Sequence, residues 1–240
     1  MNRLKPMIVL VAFATLNVAA LAADESQNWP AFRGPGTTGV LEGYALRTSW
    51  NADPADPNTQ GVLWRTPVPG LGHSSPVVWG DRIFLCTAIV ENGKASLMLG
   101  AGGKPTAADD SGQHRWVILC YNKLTGKELW RKTAHQGIPR ATRHAKATQA
   151  NTSVAVDGKH LITFFGSERL YCYDLDGNLQ WSRDLGVINI SKYGIGWGYA
   201  SSPAIYQDRI ALTCDDPSNP FLVVLRLSDG KELWRVSRKE

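Results

Sequence analysis

Beyond residue 22 the chain has no apolar run long enough to cross a bilayer, and no stretch with the periodicity of an amphipathic helix. It has no nucleophile elbow, no zinc-ligand spacing and no phosphate-binding loop. Those absences set aside the hydrolases, zinc enzymes and nucleotide enzymes that announce themselves by such motifs. Charge of one sign is also scarce. The formal charge is +5, and without Arg3 and Lys5 it falls to +3. That excess is too small and too scattered for a nucleic-acid surface. A hydrophobic share of 43% against 20% charged residues argues for a folded chain rather than a disordered one.

Cysteine is sparse, with Cys86, Cys120, Cys172 and Cys214. Cys120 and Cys172 precede Tyr121 and Tyr173 at the same place in two successive repeats. Equivalent places in neighbouring repeats lie beyond the Cα separation of about 7 Å that a disulfide tolerates. Cys86 and Cys214 fall inside apolar strands. All four read as small buried hydrophobes rather than bridges.

The N-terminus carries an address. Arg3 and Lys5 make a positive start, residues 7–20 are apolar except Thr15 and Asn17, and Ala20-Leu21-Ala22 is a small-x-small cleavage site. Residues 1–22 read as a secretory signal peptide, the alternative being an N-terminal anchor helix. No cysteine follows for a lipid anchor. The mature chain is therefore predicted to be exported, periplasmic or extracellular, and without a membrane span after cleavage. Residues 23–60 form a lead-in rich in turn formers, pinned to the rest by Trp29 and Phe32. Residues 61–240 form the folded unit.

That unit is a repeat. Cys120-Tyr121-Asn122-Lys123-Leu124-Thr125-Gly126-Lys127-Glu128-Leu129-Trp130 is an apolar strand end, a glycine turn and a strand carrying one tryptophan. The pattern returns with Gly177 and Trp181, and again with Gly230 and Trp234. Ser74-Ser75-Pro76 and Ser201-Ser202-Pro203 open corresponding strands, and Asp81-Arg82-Ile83 matches Asp208-Arg209-Ile210. A spacing near 50 residues with four short strands per unit predicts an all-β propeller of four-stranded antiparallel blades. About three blades are present. Val62-Leu63-Trp64-Arg65 reads as an N-terminal closing strand whose own blade is missing, so the ring is expected to be incomplete. Residues 89–114 read as a flexible insertion. A tryptophan per blade, burying roughly 150–250 Å², suits the packing of one flat sheet on the next.

These residues resemble the tryptophan-docking repeat of pyrroloquinoline-quinone-type (PQQ-type) β-propellers. The family pattern is a small residue, x, Asp, x, x, Thr-Gly-Lys-Glu, x, Trp. Thr125, Gly126, Lys127, Glu128 and Trp130 match it, with Asn122 in place of Asp. Gly230, Lys231, Glu232 and Trp234 match again; Asp174, Gly177 and Trp181 match with a turn one residue shorter. The resemblance implies docking roles for Trp64, Gly126, Trp130, Gly177, Trp181, Gly230 and Trp234. It also implies one of two functions. The family contains quinoprotein dehydrogenases, which oxidise alcohols or sugars with bound PQQ and a divalent metal, usually Ca²⁺. It also contains non-catalytic propellers that bind proteins, such as the propeller subunit of the bacterial outer-membrane assembly machine. The dehydrogenases typically cover the quinone with a disulfide between adjacent cysteines, and this chain has no Cys-Cys pair.

The expected function is accordingly a non-catalytic binding or scaffold module for protein or peptide partners, with no cofactor, metal or catalytic residues. The alternative is a fragment of a PQQ-dependent dehydrogenase. The Asp174-to-Asn178 turn resembles part of a calcium loop but lacks the later Glu. Topology predicts the binding face. The connections from each outer strand to the next inner strand, at 66–73, 133–150 and 184–199, cross one face. They carry His73, Arg143, His144, Lys146, Lys192, Tyr193 and Trp197. The pairs His135 with Arg140 and His144 with Lys146 otherwise read as solvated loop.

Overall fold

Turn chemistry sets the hairpins of this protein. A computed structural model describes residues 28–43, 45–56, 60–93, 97–98, 107–188, 190–192 and 195–238. The signal segment and residues 23–27 lie outside them. In the first blade, Val77–Trp79 (β1) reverses through Gly80 (φ 59°) into Arg82–Val90 (β2), followed by His114–Asn122 (β3) and Glu128–Gly137 (β4). The second blade comprises Ala155–Val156 (β5), His160–Phe164 (β6), Leu170–Asp174 (β7) and Leu179–Arg183 (β8). A small hairpin follows, Ser191–Lys192 (β9) with Ile195–Gly196 (β10). Ala204–Tyr206 (β11), Arg209–Cys214 (β12), Phe221–Arg226 (β13) and Glu232–Ser237 (β14) make the third blade. Each blade is an antiparallel sheet in sequence order. The strands of the three blades match the predicted ones, except that β2, β3 and β4 of the first blade extend into the stretch read as an insertion and beyond Lys132; the β9–β10 hairpin lies in a stretch read as a plain connection.

One register runs through all three blades. Cys120 pairs with Trp130, Cys172 with Trp181 and Val224 with Trp234. A register shift follows at the same place each time, after Cys120, Cys172 and Val224. The extra residue tightens the twist and aims the tryptophan out of its own sheet, the usual effect of a bulge.

Blades bury their faces against one another. Side chains alternate along β6 and β7. Leu161, Tyr171 and Tyr173 join a core with Val77, Phe84 and Trp116 of the first blade. Ile162, Phe164 and Cys172 join another with Leu212, Val223 and Leu225 of the third. The second blade is thus apolar on both faces. All four cysteines are free and buried.

The lead-in adds to the inner edge. Trp29 and Val78 exchange backbone hydrogen bonds of 2.8 and 2.9 Å, and Val156 N–H donates to Pro30 O at 2.9 Å. Trp29 is therefore a pin, as expected. Phe32 is not: it is 55% exposed, because the chain turns away at Gly34 and leaves the ring outside the core. Residues 62–65, expected as a closing strand, carry no ladder pairing and are held by Trp64 instead.

Candidate functional site

The docking residues come first, because they position everything else. Trp64 Nε1 donates to Lys123 O at 2.9 Å, Trp130 Nε1 to Leu175 O at 3.0 Å, and Trp181 Nε1 to Leu227 O at 2.9 Å. Each indole lies over the next turn's glycine. Gly126, Gly177 and Gly230 all have positive φ, and a Cβ there would run into Trp64, into Lys132 and Trp130, and into Trp181. Glycine is required twice over, by the left-handed backbone and by the ring above it. Trp234, the last of the series, is 46% exposed, and no described glycine lies against it.

A second set of bonds ties the inner ends. Ser75 N–H donates to Ser153 Oγ at 2.9 Å, and Ser153 N–H to Ser202 Oγ at 2.9 Å. His73 N–H donates to Ala150 O at 2.9 Å. The connections between blades are thereby held together on one face.

On that face lies a cleft of about 410 Å³ lined by Phe32, His73, His144, Lys146, Asn151 and Trp197, with Ala147, Gly198, Ala200 and Ser202. Four of the predicted residues meet here: His73, His144, Lys146 and Trp197. The His144 and Trp197 rings stack in parallel, centroids 4.9 Å apart and planes 5° apart. Lys146 N–H donates to His144 Nδ1 at 3.0 Å, so the neutral ring carries its proton on Nε2. Gly196 abuts the Thr142 backbone with no room for a Cβ, which fixes the β9–β10 hairpin against the segment bearing His144. Trp197 N–H continues the hairpin by donating to Ile190 O at 2.7 Å.

Other predicted residues behave differently. Arg143 does not face the cleft. It is 3% exposed and makes a two-pronged ion pair with Asp110, Nε–Oδ2 2.8 Å and Nη2–Oδ1 2.9 Å. Gln149 Nε2 donates to the same carboxylate at 2.8 Å, and His114 Nε2 lies 3.7 Å from it. The reading of His144 as solvated loop is likewise corrected, since the Trp197 stack buries it. Arg140 is engaged too, by Asp184 and by the Ser167 carbonyl. Lys192 lies in β9 opposite Ile195. Tyr193 lies outside the described residues. Sequence reasoning missed Phe32, Asn151 and Ser202; of these only Ser202 carried a signal, in the repeated Ser-Ser-Pro.

None of the ten lining residues is a carboxylate. Asn151 Oδ1 already accepts from Thr148 N–H and Oγ1, both at 2.8 Å. Among the described residues no group of three or more His, Cys, Asp or Glu is arranged for a metal. Burial pushes the Cys86 thiol up to about 11, and those of Cys120, Cys172 and Cys214 up to about 12, so none is a ready thiolate. The calcium-like turn is filled from within: Asp174 Oδ1 accepts from Asp176 and Asn178 N–H at 2.9 and 2.8 Å.

Four-stranded blades locked by tryptophan over glycine define a β-propeller of the PQQ-like repeat class. The family model described as outer membrane protein assembly factor BamB matches residues 113–240, more than half of the chain, and the chain belongs to that family. No curated protein matches it. Similar solved structures include a europium-containing methanol dehydrogenase, at 9% identity and a TM-score of 0.43, covering 69% of this chain and 24% of that one. BamB from Moraxella catarrhalis aligns at 14% identity and a TM-score of 0.37, covering 74% and 55%. Quinohemoprotein alcohol dehydrogenase from Comamonas testosteroni aligns at 13% identity and 0.36, covering 65% and 23%. The chain thus spans about a quarter of the dehydrogenases and about half of that BamB. Among the described residues no helix is long and apolar enough to cross a membrane.

Proposed function

We propose that this chain is an exported, non-catalytic binding module that takes protein or peptide partners at the Trp197 cleft. One observation carries the reading. The cleft places two exposed aromatic rings, Phe32 and Trp197, beside hydrogen-bond donors on a face held rigid by blade-to-blade bonds. Exposed aromatics next to polar groups are the composition of recognition surfaces. The buried thiols support binding over catalysis, and among the described residues no hydrogen bond joins Ser202 to His73 or His144.

The donor set also supports this reading over a quinoprotein dehydrogenase fragment. A divalent metal holding a quinone needs several oxygen ligands. Among the described residues the lining of the cleft includes no carboxylate, and its one side-chain amide oxygen is taken by Thr148. The residues present do not fit that group.

Display of random peptides against the protein and against Trp197→Ala tests the binding reading. Sequences enriched on the native chain and lost on the variant support it; enrichment that survives the substitution moves the site elsewhere. Saturable PQQ binding with Ca²⁺, accompanied by dye reduction with alcohols or sugars, would restore the dehydrogenase. A mature N-terminus at Ala23 after secretion is the corresponding test of export.

A further inference from the structure

Resting on the reading of the cleft as a binding site, we infer that its ligand is a proline-rich peptide segment in the extended polyproline conformation.

The side-chain hydrogen bonding of the cleft is one-sided. Trp197 Nε1–H has no acceptor among the described residues, whereas Trp64, Trp116, Trp130 and Trp181 each give theirs to a backbone carbonyl. His144 Nδ1 accepts Lys146 N–H, so the ring is neutral and Nε2 carries its hydrogen. That Nε2–H also has no acceptor among the described residues. The buried side-chain polar atoms without a partner there are Tyr121 Oη, Thr163 Oγ1 and Glu168 Oε2, so His144 Nε2 meets solvent at the cleft its ring lines. Ser202 Oγ accepts from Ser153 N–H, and its own hydrogen is given to no described residue. On the acceptor side, Asn151 Oδ1 is spent on Thr148 N–H and Oγ1–H. The three open donors are neutral and suit carbonyl oxygens; Lys146 has a partner of its own.

A polyproline segment matches that set. Its prolines have no N–H, and its carbonyls make no internal hydrogen bonds, so its backbone brings acceptors only. An ordinary extended peptide brings an N–H with each carbonyl, and every one that this wall covers without an acceptor costs free energy.

The rings suit the same ligand. Trp197 has one face on His144 and is still 42% exposed; Phe32 is 55% exposed at the same cleft. Pyrrolidine rings laid against such walls cover surface that is otherwise wet, and aromatic-lined grooves are the general receptor for polyproline helices. Rings left about half in solvent cover a ligand on one side only, and a polyproline helix keeps its other side in water at no cost in backbone hydrogen bonds. Both partners are ordered beforehand. The hairpin that carries Trp197 is fixed through Gly196 against Thr142, and the proline backbone is already extended, so little conformational freedom is lost on binding.

Calorimetric titration of the protein with acetyl-hexaproline-amide, and with a capped hexapeptide of alternating Ala and Ser, tests this. The expected result is saturable binding of the proline peptide, about ten-fold or more tighter than the Ala-Ser peptide. Binding should be lost in Trp197→Ala and in Phe32→Ala, and weakened about ten-fold in Trp197→Phe, which keeps a ring but removes the indole N–H. Cooperative thermal transitions establish that the variants are folded, as the exposure of both rings leads one to expect. Equal binding of the Ala-Ser peptide overturns the proline ligand. Full binding in Trp197→Phe overturns recognition of a carbonyl by the indole. Binding that Trp197→Ala and Phe32→Ala both leave unchanged, or no binding of the proline peptide, overturns the inference. The peptide-display comparison then decides separately on the cleft: sequences without proline, enriched on the native chain and lost on Trp197→Ala, would keep the site and reject this ligand.

Discussion

The hydroxyl of Ser153 accepts the backbone N–H of Ser75 from the blade before it, while the Ser153 N–H donates to Ser202 of the blade after it. One residue is therefore acceptor and donor in a chain of hydrogen bonds that crosses two blade boundaries. Ser153 is 1% exposed, and water cannot easily replace it. Ser153→Ala leaves the half-buried Ser75 N–H without its partner, and a loss of about 1 kcal/mol is expected. Urea unfolding of the variant measures it. An unchanged midpoint would mean that Ser75 finds another acceptor.

That rung was half legible in the sequence. Ser74-Ser75-Pro76 and Ser201-Ser202-Pro203 are visibly repeated, but the middle blade reads Thr152-Ser153-Val154 and hides its membership. The tryptophan-on-glycine series was fully legible, because a left-handed turn beneath a large ring leaves glycine as the residue that fits. Arg143 was not. Its partner Asp110 is remote in sequence, inside a stretch that reads as loop, and a lone arginine on a basic connection resembles a surface residue until the carboxylate is found. Phe32 failed in the opposite direction. An aromatic among turn formers is usually a pin, and only the path of the chain past Gly34 shows that this one is left out.

Glycine turns separate backbone strain from docking. Gly80 has φ 59° with nothing near a prospective Cβ, whereas at Gly230, φ 66°, a Cβ would lie 2.6 Å from the Trp181 ring. Gly80→Ala is expected to cost about 1 kcal/mol, the left-handed penalty alone. Gly230→Ala adds displacement of the indole, and about 2–4 kcal/mol is expected from strain and lost packing together. Gln207 occupies the place of Gly80 in the third blade at φ 53°, so Gln207→Gly should recover a fraction of that penalty. Thermal melts of the three variants rank them. Equal losses at Gly80 and Gly230 would remove the docking contribution.

Trp181 and Trp234 share a register but not an environment. Trp181 is half-buried against the core between the second and third blades and bonds to Leu227 O. Trp234 is 46% exposed, on a strand exposed along its length. Trp181→Ala is expected to cost about 3 kcal/mol and Trp234→Ala less than about 1 kcal/mol. Denaturant midpoints decide. Losses of the same size would show that Trp234 is covered in solution, and light scattering of the native protein would then reveal a larger species.

The network around Arg143 gives stability a pH dependence with two edges. Burial raises the Asp110 carboxyl, but the nearby His114 ring and the hydrogen bonds from Gln149 and Arg143 outweigh it and hold the group down at about 2. Burial also disfavours the charged His114 ring, yet the Asp110 carboxylate outweighs that and raises it above its ordinary 6.5. His114 Nδ1–H is committed to Gly112 O at 2.8 Å, so a neutral ring turns an unprotonated Nε2 toward Asp110. A raised histidine contributes stability that is full below pH 6.5 and is lost as pH rises through its folded value. A lowered carboxylate contributes above its ordinary 3.8 and is lost as pH falls toward 2. The network should therefore be strongest between these edges. The urea midpoint of the native protein is expected to fall from pH 5 to pH 8 more steeply than that of His114→Gln, while both fall together below pH 4 through Asp110. Parallel curves for the two proteins between pH 5 and 8 would show that the His114 proton is not linked to folding.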